Sequence, residues 1–166
     1  GLVIRSDLVA LDPDISTKVI RRSMNVKSRI VTLDEHDTMG LRAILNYGHT
    51  VGHALESATT YGRYFHGEAV SIGMMVAVHI SHRLGLVDEN VIKRQKSLLE
   101  RFNLPVTFSD VDVGQIMGAL DRDKKVKQGA IVWILLEGIG RAVLRSDVPI
   151  DLVEEILAEL NVSKQT

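Results

Sequence analysis

Between Arg42 and Glu56 the chain sets five chemically capable side chains at helical spacing: Arg42, Asn46, His49, His53 and Glu56. At about 100° per residue, with Arg42 at zero, Asn46 falls near roughly +40°, His49 near −20°, His53 near +20° and Glu56 near −40°. Ile44, Leu45, Val51, Leu55 and Ala58 take most of the remaining circumference. A helix that is apolar everywhere except along one narrow stripe faces a cleft rather than open water. Charge in a cleft needs a partner or a ligand, so the stripe is expected to face a polar ligand, a metal or both. Two imidazoles four residues apart suit a metal, an imidazole can carry protons, and a guanidinium grips carboxylate or phosphate oxygens. The same residues admit a plainer reading, in which the stripe is the helix's one wet face and Arg42–Asn46 and His53–Glu56 are local pairs. The metalloprotease arrangement is excluded, because Thr50-Val51-Gly52 stands between the two histidines and supplies no glutamate for an HExxH motif.

A second group opens the next apolar stretch, His66-Gly67-Glu68-Ala69-Val70-Ser71-Ile72-Gly73-Met74-Met75. After its start this segment is almost uniformly apolar, which predicts a central, buried helix with Met74 and Met75 as core filler. At its N-terminus the positive end of the helix dipole suits Glu68 and favours a neutral, metal-binding imidazole at His66. The plainer reading makes His66 and Glu68 simple helix-start residues. His49 and His66 meet only if residues 57–65 fold the chain back.

The elements that must position these residues follow from periodicity. Asp12 is a candidate cap and Pro13 a first helical residue for a helix running to about Val31. Residues 41–58 read as one long helix, with Gly48 and Gly52 leaving a flank bare for another backbone at about 1 kcal/mol each. His66 to Leu84 reads as a second long helix ended by Gly85, and Asp88 caps a third through Phe102, stopped by Pro105. Ser109-Asp110 to Leu120 reads as a short helix. Ala130–Leu136 and Arg141–Val148 flank Gly138-Ile139-Gly140 as a hairpin. Pro149 and Asp151 open a terminal helix to about Leu160.

Composition narrows the function classes. The chain has 166 residues, 45% hydrophobic and 25% charged, which fits one globular domain with a real core. Twenty basic against 21 acidic residues, a net charge of −1, build no field for nucleic acid or an anionic membrane. The absence of cysteine excludes a disulfide scaffold, a Cys-type zinc finger, an iron–sulfur cluster and a thiol nucleophile. No run reaches ~18 apolar residues, so no membrane span is expected. No secretory signal is read at the start, so a cytoplasmic location is expected. The first residue is Gly1 rather than Met, which suggests a processed product or a piece of a longer protein.

Leu41-Arg42, Leu45-Asn46, Gly48-His49-Thr50 and Gly52-His53-Ala54-Leu55-Glu56, followed by His66-Gly67-Glu68-Ala69-Val70 and Gly73-Met74, closely resemble the 3-dehydroquinate synthases of the sugar-phosphate cyclase family. Lys27, Asp34-Glu35 and Asp123-Lys124-Lys125 fit the same pattern, and the resemblance runs over nearly all of the chain. It implies a mainly α, multi-helix domain with one small β-hairpin, the C-terminal half of a two-domain fold. Residues 1–166 would form this metal- and substrate-binding domain, with the N-terminal NAD-binding domain absent from the chain and the active site in the cleft between the two. The resemblance assigns Zn2+ to His49 and His66 with a glutamate expected ahead of Gly1. It makes His53 a catalytic proton-transfer residue and gives substrate contacts to Lys27, Arg42 and Asn46. One of Lys124 and Lys125, with Lys125 preferred, would reach the phosphate. The implied reaction converts 3-deoxy-D-arabino-heptulosonate 7-phosphate to 3-dehydroquinate and phosphate in the shikimate pathway, with transient oxidation by NAD. A homodimer is implied for the full-length enzyme.

Some positions depart from the pattern. Gly138-Ile139-Gly140 is followed by Val143 and is no dinucleotide fingerprint. The stretch from Lys27 to Arg42 is one residue longer than the family spacing, and Asp37 stands where a glutamate is usual. His36, His79 and His82 match no site. The chain is therefore expected to be inactive alone and to hold zinc weakly, completed by water or a neighbouring molecule. Competing readings are another sugar-phosphate cyclase, a non-catalytic helical module, and half of a metal-dependent alcohol dehydrogenase. Asn46 and His53 favour the dehydroquinate branch.

Overall fold

The computed structural model describes residues 13–36, 40–126 and 129–162, without the side chains at 14, 15 and 124–126. The chain divides into two compact units, Gly1–Leu45 and Asn46–Thr166. In the first, helix α1 spans Pro13–Leu33, with Pro13 at the first helical position where its missing N–H costs nothing; the expected cap Asp12 lies outside the described residues. The α1 end is followed by a turn in which the Asp34 carboxylate accepts from the Leu41 amide at 2.8 Å. A 3-10 helix, Leu41–Asn46, begins there.

The second unit orders α2 (His49–Ala58), α3 (His66–Arg83), α4 (Glu89–Arg101), α5 (Val113–Val126), strands β1 (Trp133–Gly138) and β2 (Arg141–Arg145), and α6 (Ile150–Leu160). Helix α3 is the hub: it packs on α2, α4, α6 and β1. Its apolar sequence is matched by its surroundings, for Ile72, Val76, Val78 and Ile80 are fully buried, each stabilising the core by about 1.5–3 kcal/mol. Around it α6 contributes Val153, Ile156, Leu157 and Leu160 from one face, the i, i+3, i+4, i+7 stripe of an amphipathic helix. The Ser81 hydroxyl ties β1 to α3: it accepts from the Leu136 amide at 2.9 Å and donates to the Ala77 carbonyl at 2.7 Å.

The helix ends mostly follow their signals. Gly85, at φ 71, closes α3, and the Asp88 carboxylate accepts from the Val91 amide to cap α4. The strands pair antiparallel, from Trp133 with Arg145 to Gly138 with Arg141, and are shorter than the apolar runs suggest. Helix α5 starts at Val113 rather than near Ser109. Phe108 is engaged instead in a bridge to Asn161, Asp110 is left-handed at φ 54, and the Asp112 carboxylate accepts from the Gly114 amide at 3.1 Å.

One expectation is corrected. Residues 41–58 are not a single helix. Gly48 adopts φ 85, a left-handed conformation open to glycine, and separates the 3-10 helix from α2. Arg42 and Asn46 therefore do not lie on the same continuous helical face as His49, His53 and Glu56.

Candidate metal and proton-transfer centre

Glycine makes the site possible. A Cβ at Gly73 of α3 would stand 2.0 Å from the Gly48 carbonyl oxygen, and one at Gly48 would stand 2.6 Å from Met74 Cγ and 2.7 Å from the Val70 carbonyl oxygen. Gly52 faces the Val70 backbone in the same way, at 3.2 Å. Backbone therefore lies against backbone where α2 crosses α3. Residues 59–64 turn the chain between the two helices, with Thr60 and Tyr61 both left-handed at φ 50 and 57. The turn is tied down by Arg63, whose guanidinium donates to the Asp110 carboxylate at 2.8 Å. The fold-back that His49 and His66 need is thus built by the glycine crossing and this turn.

The result is a triangle of imidazoles. Ring centroids lie 5.4 Å apart for His49 and His53, 5.2 Å for His49 and His66, and 5.5 Å for His53 and His66. Below it sits Glu56, 8% exposed. His53 Nδ1–H donates to Glu56 Oε2 at 3.0 Å and His66 Nδ1–H donates to Glu56 Oε1 at 3.1 Å. His49 Nδ1 faces the Tyr47 carbonyl oxygen at 3.4 Å. Each ring thus has an acceptor at Nδ1, which leaves Nε2 with the lone pair that binds a metal or takes a proton. The His53 and His66 side chains are 61% and 56% exposed, so the rings are open to a ligand while the carboxylate behind them is not.

Burial pulls the Glu56 carboxyl up, but the hydrogen bonds from His53 and His66 outweigh it and hold it below the usual carboxylate range. Burial lowers His49, and the charges of His53 and His66 add to that, against the opposing carbonyls of Tyr47 and Asn46. A neutral ring at His49 is the ligand form. Tyr47 is itself anchored. Its hydroxyl donates to Gln95 Oε1 at 2.8 Å and lies 3.2 Å from the Met74 carbonyl oxygen, to which Gln95 Nε2 donates at 2.8 Å. Burial raises the phenol above its ordinary range, with the Gln95 bond opposing.

The donor set fits a metal. Nitrogen ligands from imidazole suit zinc and its neighbours, and an acceptor behind Nδ1 is what orients a ligating ring. The rings of His49 and His66 meet that description; His53, Glu56 and His66 also offer atoms within 4.8 Å of one another. Glu68, at the start of α3, turns back to accept from the Phe65 amide at 3.0 Å and caps the helix.

The other expected site residues are distributed as follows. Asn46 ends the 3-10 helix and is exposed. Arg42 lies in the first unit, its guanidinium 3.5 Å from the Glu35 carbonyl oxygen, and Lys27 lies on α1 of that unit. Lys124 and Lys125 fall in the last turn of α5, with their side chains outside the described residues; Asp37 lies outside the described residues altogether. His36 sits in the turn after α1. His79 and His82 lie on the far half of α3, where His82 Nδ1–H donates to the Val87 carbonyl at 3.0 Å. A cleft of about 490 Å³ lined by Met117, Asp121, Trp133 and Val148 among others contains no histidine. Sequence reasoning did not single out Tyr47 or Gln95, which carry no motif. Glu56 was visible as a stripe member, since a carboxylate on a largely apolar helix demands partners.

Comparison with known proteins accords with this geometry. The family model described as 3-dehydroquinate synthase C-terminal matches residues 4–126. The 3-dehydroquinate synthase of Acidithiobacillus ferrooxidans is 48% identical over 142 residues, which are 86% of this chain and 39% of the relative. That of Campylobacter curvus is 43% identical over 152 residues, 91% of this chain and 44% of the relative. The chain thus spans about two fifths of the length of the curated relatives it matches. Among solved structures, a 2-epi-5-epi-valiolone synthase from Streptomyces hygroscopicus with NAD+ and Zn2+ bound superposes with a TM-score of 0.76 at 27% identity, covering 90% of this chain and 41% of that one. A 2-deoxy-scyllo-inosose synthase complexed with carbaglucose-6-phosphate, NAD+ and Co2+ superposes with a TM-score of 0.62 at 31% identity, covering 71% and 35%. No described helix is long and apolar enough to cross a membrane. Mainly helical with one hairpin among the described residues, the chain has the fold of the sugar-phosphate cyclases, and it belongs to the 3-dehydroquinate synthase C-terminal family.

Proposed function

We propose that the chain is the metal- and substrate-binding half of a 3-dehydroquinate synthase, a lyase that converts 3-deoxy-D-arabino-heptulosonate 7-phosphate to 3-dehydroquinate with release of phosphate. The observation that carries this reading is the imidazole triangle over Glu56 in a chain of this family. His49 and His66 hold Zn2+ through Nε2, with a carboxylate from a preceding domain as third ligand. Bound there, the ion supplies Lewis-acid polarisation of a substrate hydroxyl or carbonyl oxygen. His53, with Nδ1 tied to Glu56, takes and returns a proton at Nε2. Arg42 and Lys27 bind the carboxylate end of the substrate, Asn46 a hydroxyl, and Lys125 the phosphate, where a flexible ammonium serves as a point charge. NAD is held by the preceding domain, the full-length protein is a homodimer, and it works in the cytoplasm.

The related structures carry NAD+ with Zn2+ or Co2+, which supports cofactor use of this kind. The test joins this chain to the N-terminal part of the Acidithiobacillus ferrooxidans relative and measures NAD-dependent phosphate release from the heptulosonate phosphate. Release is expected from the chimera, not from the chain alone, and not from chimeras carrying His49→Ala or His66→Ala. A folded chimera that binds NAD and zinc but releases no phosphate, beside an active parent enzyme, overturns the dehydroquinate assignment. Release from a different sugar phosphate would instead assign another cyclase activity.

A further inference from the structure

Glu56 is the buried group at the centre to which the proposed reaction gives neither a bond to substrate nor a proton to carry. Its two carboxylate oxygens are divided between two rings on two helices: Oε2 with His53 Nδ1 at 3.0 Å, Oε1 with His66 Nδ1 at 3.1 Å. We infer that Glu56 is a positioning residue, one carboxylate that fixes the tautomer of both His53 and His66 so that each presents a bare Nε2 to the ligand side. The inference rests on the proposed reading for what His53 and His66 do, but not for the geometry.

The argument is one of donors and acceptors. An ionised carboxylate offers acceptors only, so each Nδ1 that faces it within hydrogen-bond distance must bear the proton. In a neutral ring the lone pair is then at Nε2. Burial makes the arrangement strict, because an unmatched polar atom at an 8% exposed site has little water to turn to. Glu56 also locks the position of α2 against the first residue of α3, since the carboxylate spans both. His49 is set independently, by the Tyr47 carbonyl at 3.4 Å. A second role for Glu56, as a metal ligand with His53 and His66, would require it to give up both of these bonds.

The distinguishing variant is Glu56→Gln. Glutamine has nearly the same shape, but one end of its amide accepts and the other donates. Facing two Nδ1 atoms it can satisfy only one ring in the original tautomer. The other must move its proton to Nε2 and so lose the lone pair that points at the ligand. The experiment is long-range 1H–15N correlation of the imidazoles in the metal-free chain at pH 8.5, with Co2+ affinity measured in parallel. In the unmodified chain His53 and His66 are expected to be protonated at Nδ1. In Glu56→Gln one of the two is expected at Nε2, with His49 unchanged and Co2+ affinity lowered about 10–100-fold.

The unmodified chain is decisive even where the variant folds poorly: Nε2–H on either ring overturns the inference. It is also overturned if both rings of Glu56→Gln keep Nδ1–H, or if the variant loses Co2+ as completely as His66→Ala does, which would make Glu56 a ligand. Predicted tautomers in a chain that binds no metal would leave Glu56's role standing and count against the zinc reading. Metal binding that depends on His66, with tautomers indifferent to Glu56, would do the reverse.

Discussion

The two ends of α3 are built on opposite principles. Its far half is surrounded by bulk: Val76, Val78 and Ile80 are fully buried on a helix that packs on β1, α4 and α6, and Ser81 bonds to the neighbouring strand. Its near half is buried too, with Ala69 and Ile72 fully so, but on the α2 side backbone meets backbone, because Gly48, just before α2, and Gly52 within it face Val70 and Gly73 of α3. At the start of that half stands His66, half exposed. The sequence of α3 reads as uniformly apolar, so hydrophobicity alone marks both halves as core. The difference shows that glycine, not polarity, marks the end of a buried helix that another backbone approaches. Large side chains there would hold α2 away and separate the rings that now lie 5.2–5.5 Å apart.

The comparison is broken most directly at Gly73. Gly73→Leu places a side chain where a Cβ alone would stand 2.0 Å from the Gly48 carbonyl, and a loss of roughly 3 kcal/mol or more is expected, read as a chain that no longer melts cooperatively. Gly48→Ala combines the φ of 85 with contacts of 2.6–2.8 Å and is expected to cost roughly 2–4 kcal/mol. Metal affinity should fall in this variant even at temperatures where it is folded. At the other end, Ser81→Ala removes the partner of the Leu136 amide and is expected to cost about 1–3 kcal/mol in urea unfolding, with metal affinity unchanged. Asp88→Ala removes the α4 cap for about 1 kcal/mol, again without effect on the centre. Lys93→Ala breaks only a surface pair with Glu89 at 3.1 Å and should shift stability by no more than about 0.5 kcal/mol. A Ser81→Ala chain that lost metal affinity as Gly48→Ala does would erase the distinction between the halves.

Much of this was legible before any coordinates. Gly85 and Asp88 punctuate α3 and α4 by local rules that need no tertiary information. The i, i+4, i+7 spacing of His49, His53 and Glu56 places them on one face, and Gly48 and Gly52 mark a place for close approach. The break at Gly48 was not legible. A glycine inside a helical pattern is tolerated at about 1 kcal/mol, and only the crossing with α3 reveals that this one is left-handed. The division of Glu56 between two rings was hidden for the same reason: one partner is three residues away and the other is on a different helix. Tyr47, whose carbonyl faces His49 Nδ1, and its side-chain partner Gln95 are 48 residues apart in sequence and follow no short pattern.

We propose that His49 and His66, brought together by the glycine crossing, form a metal site with His53 beside it. Titrating the chain with Co2+ while following visible absorption tests it most directly, beside His49→Ala, His66→Ala and His53→Ala. One equivalent is expected to bind with an imidazole–cobalt spectrum, lost in His49→Ala and His66→Ala and retained in His53→Ala. No binding by the folded chain, or binding indifferent to both His49→Ala and His66→Ala, would contradict it.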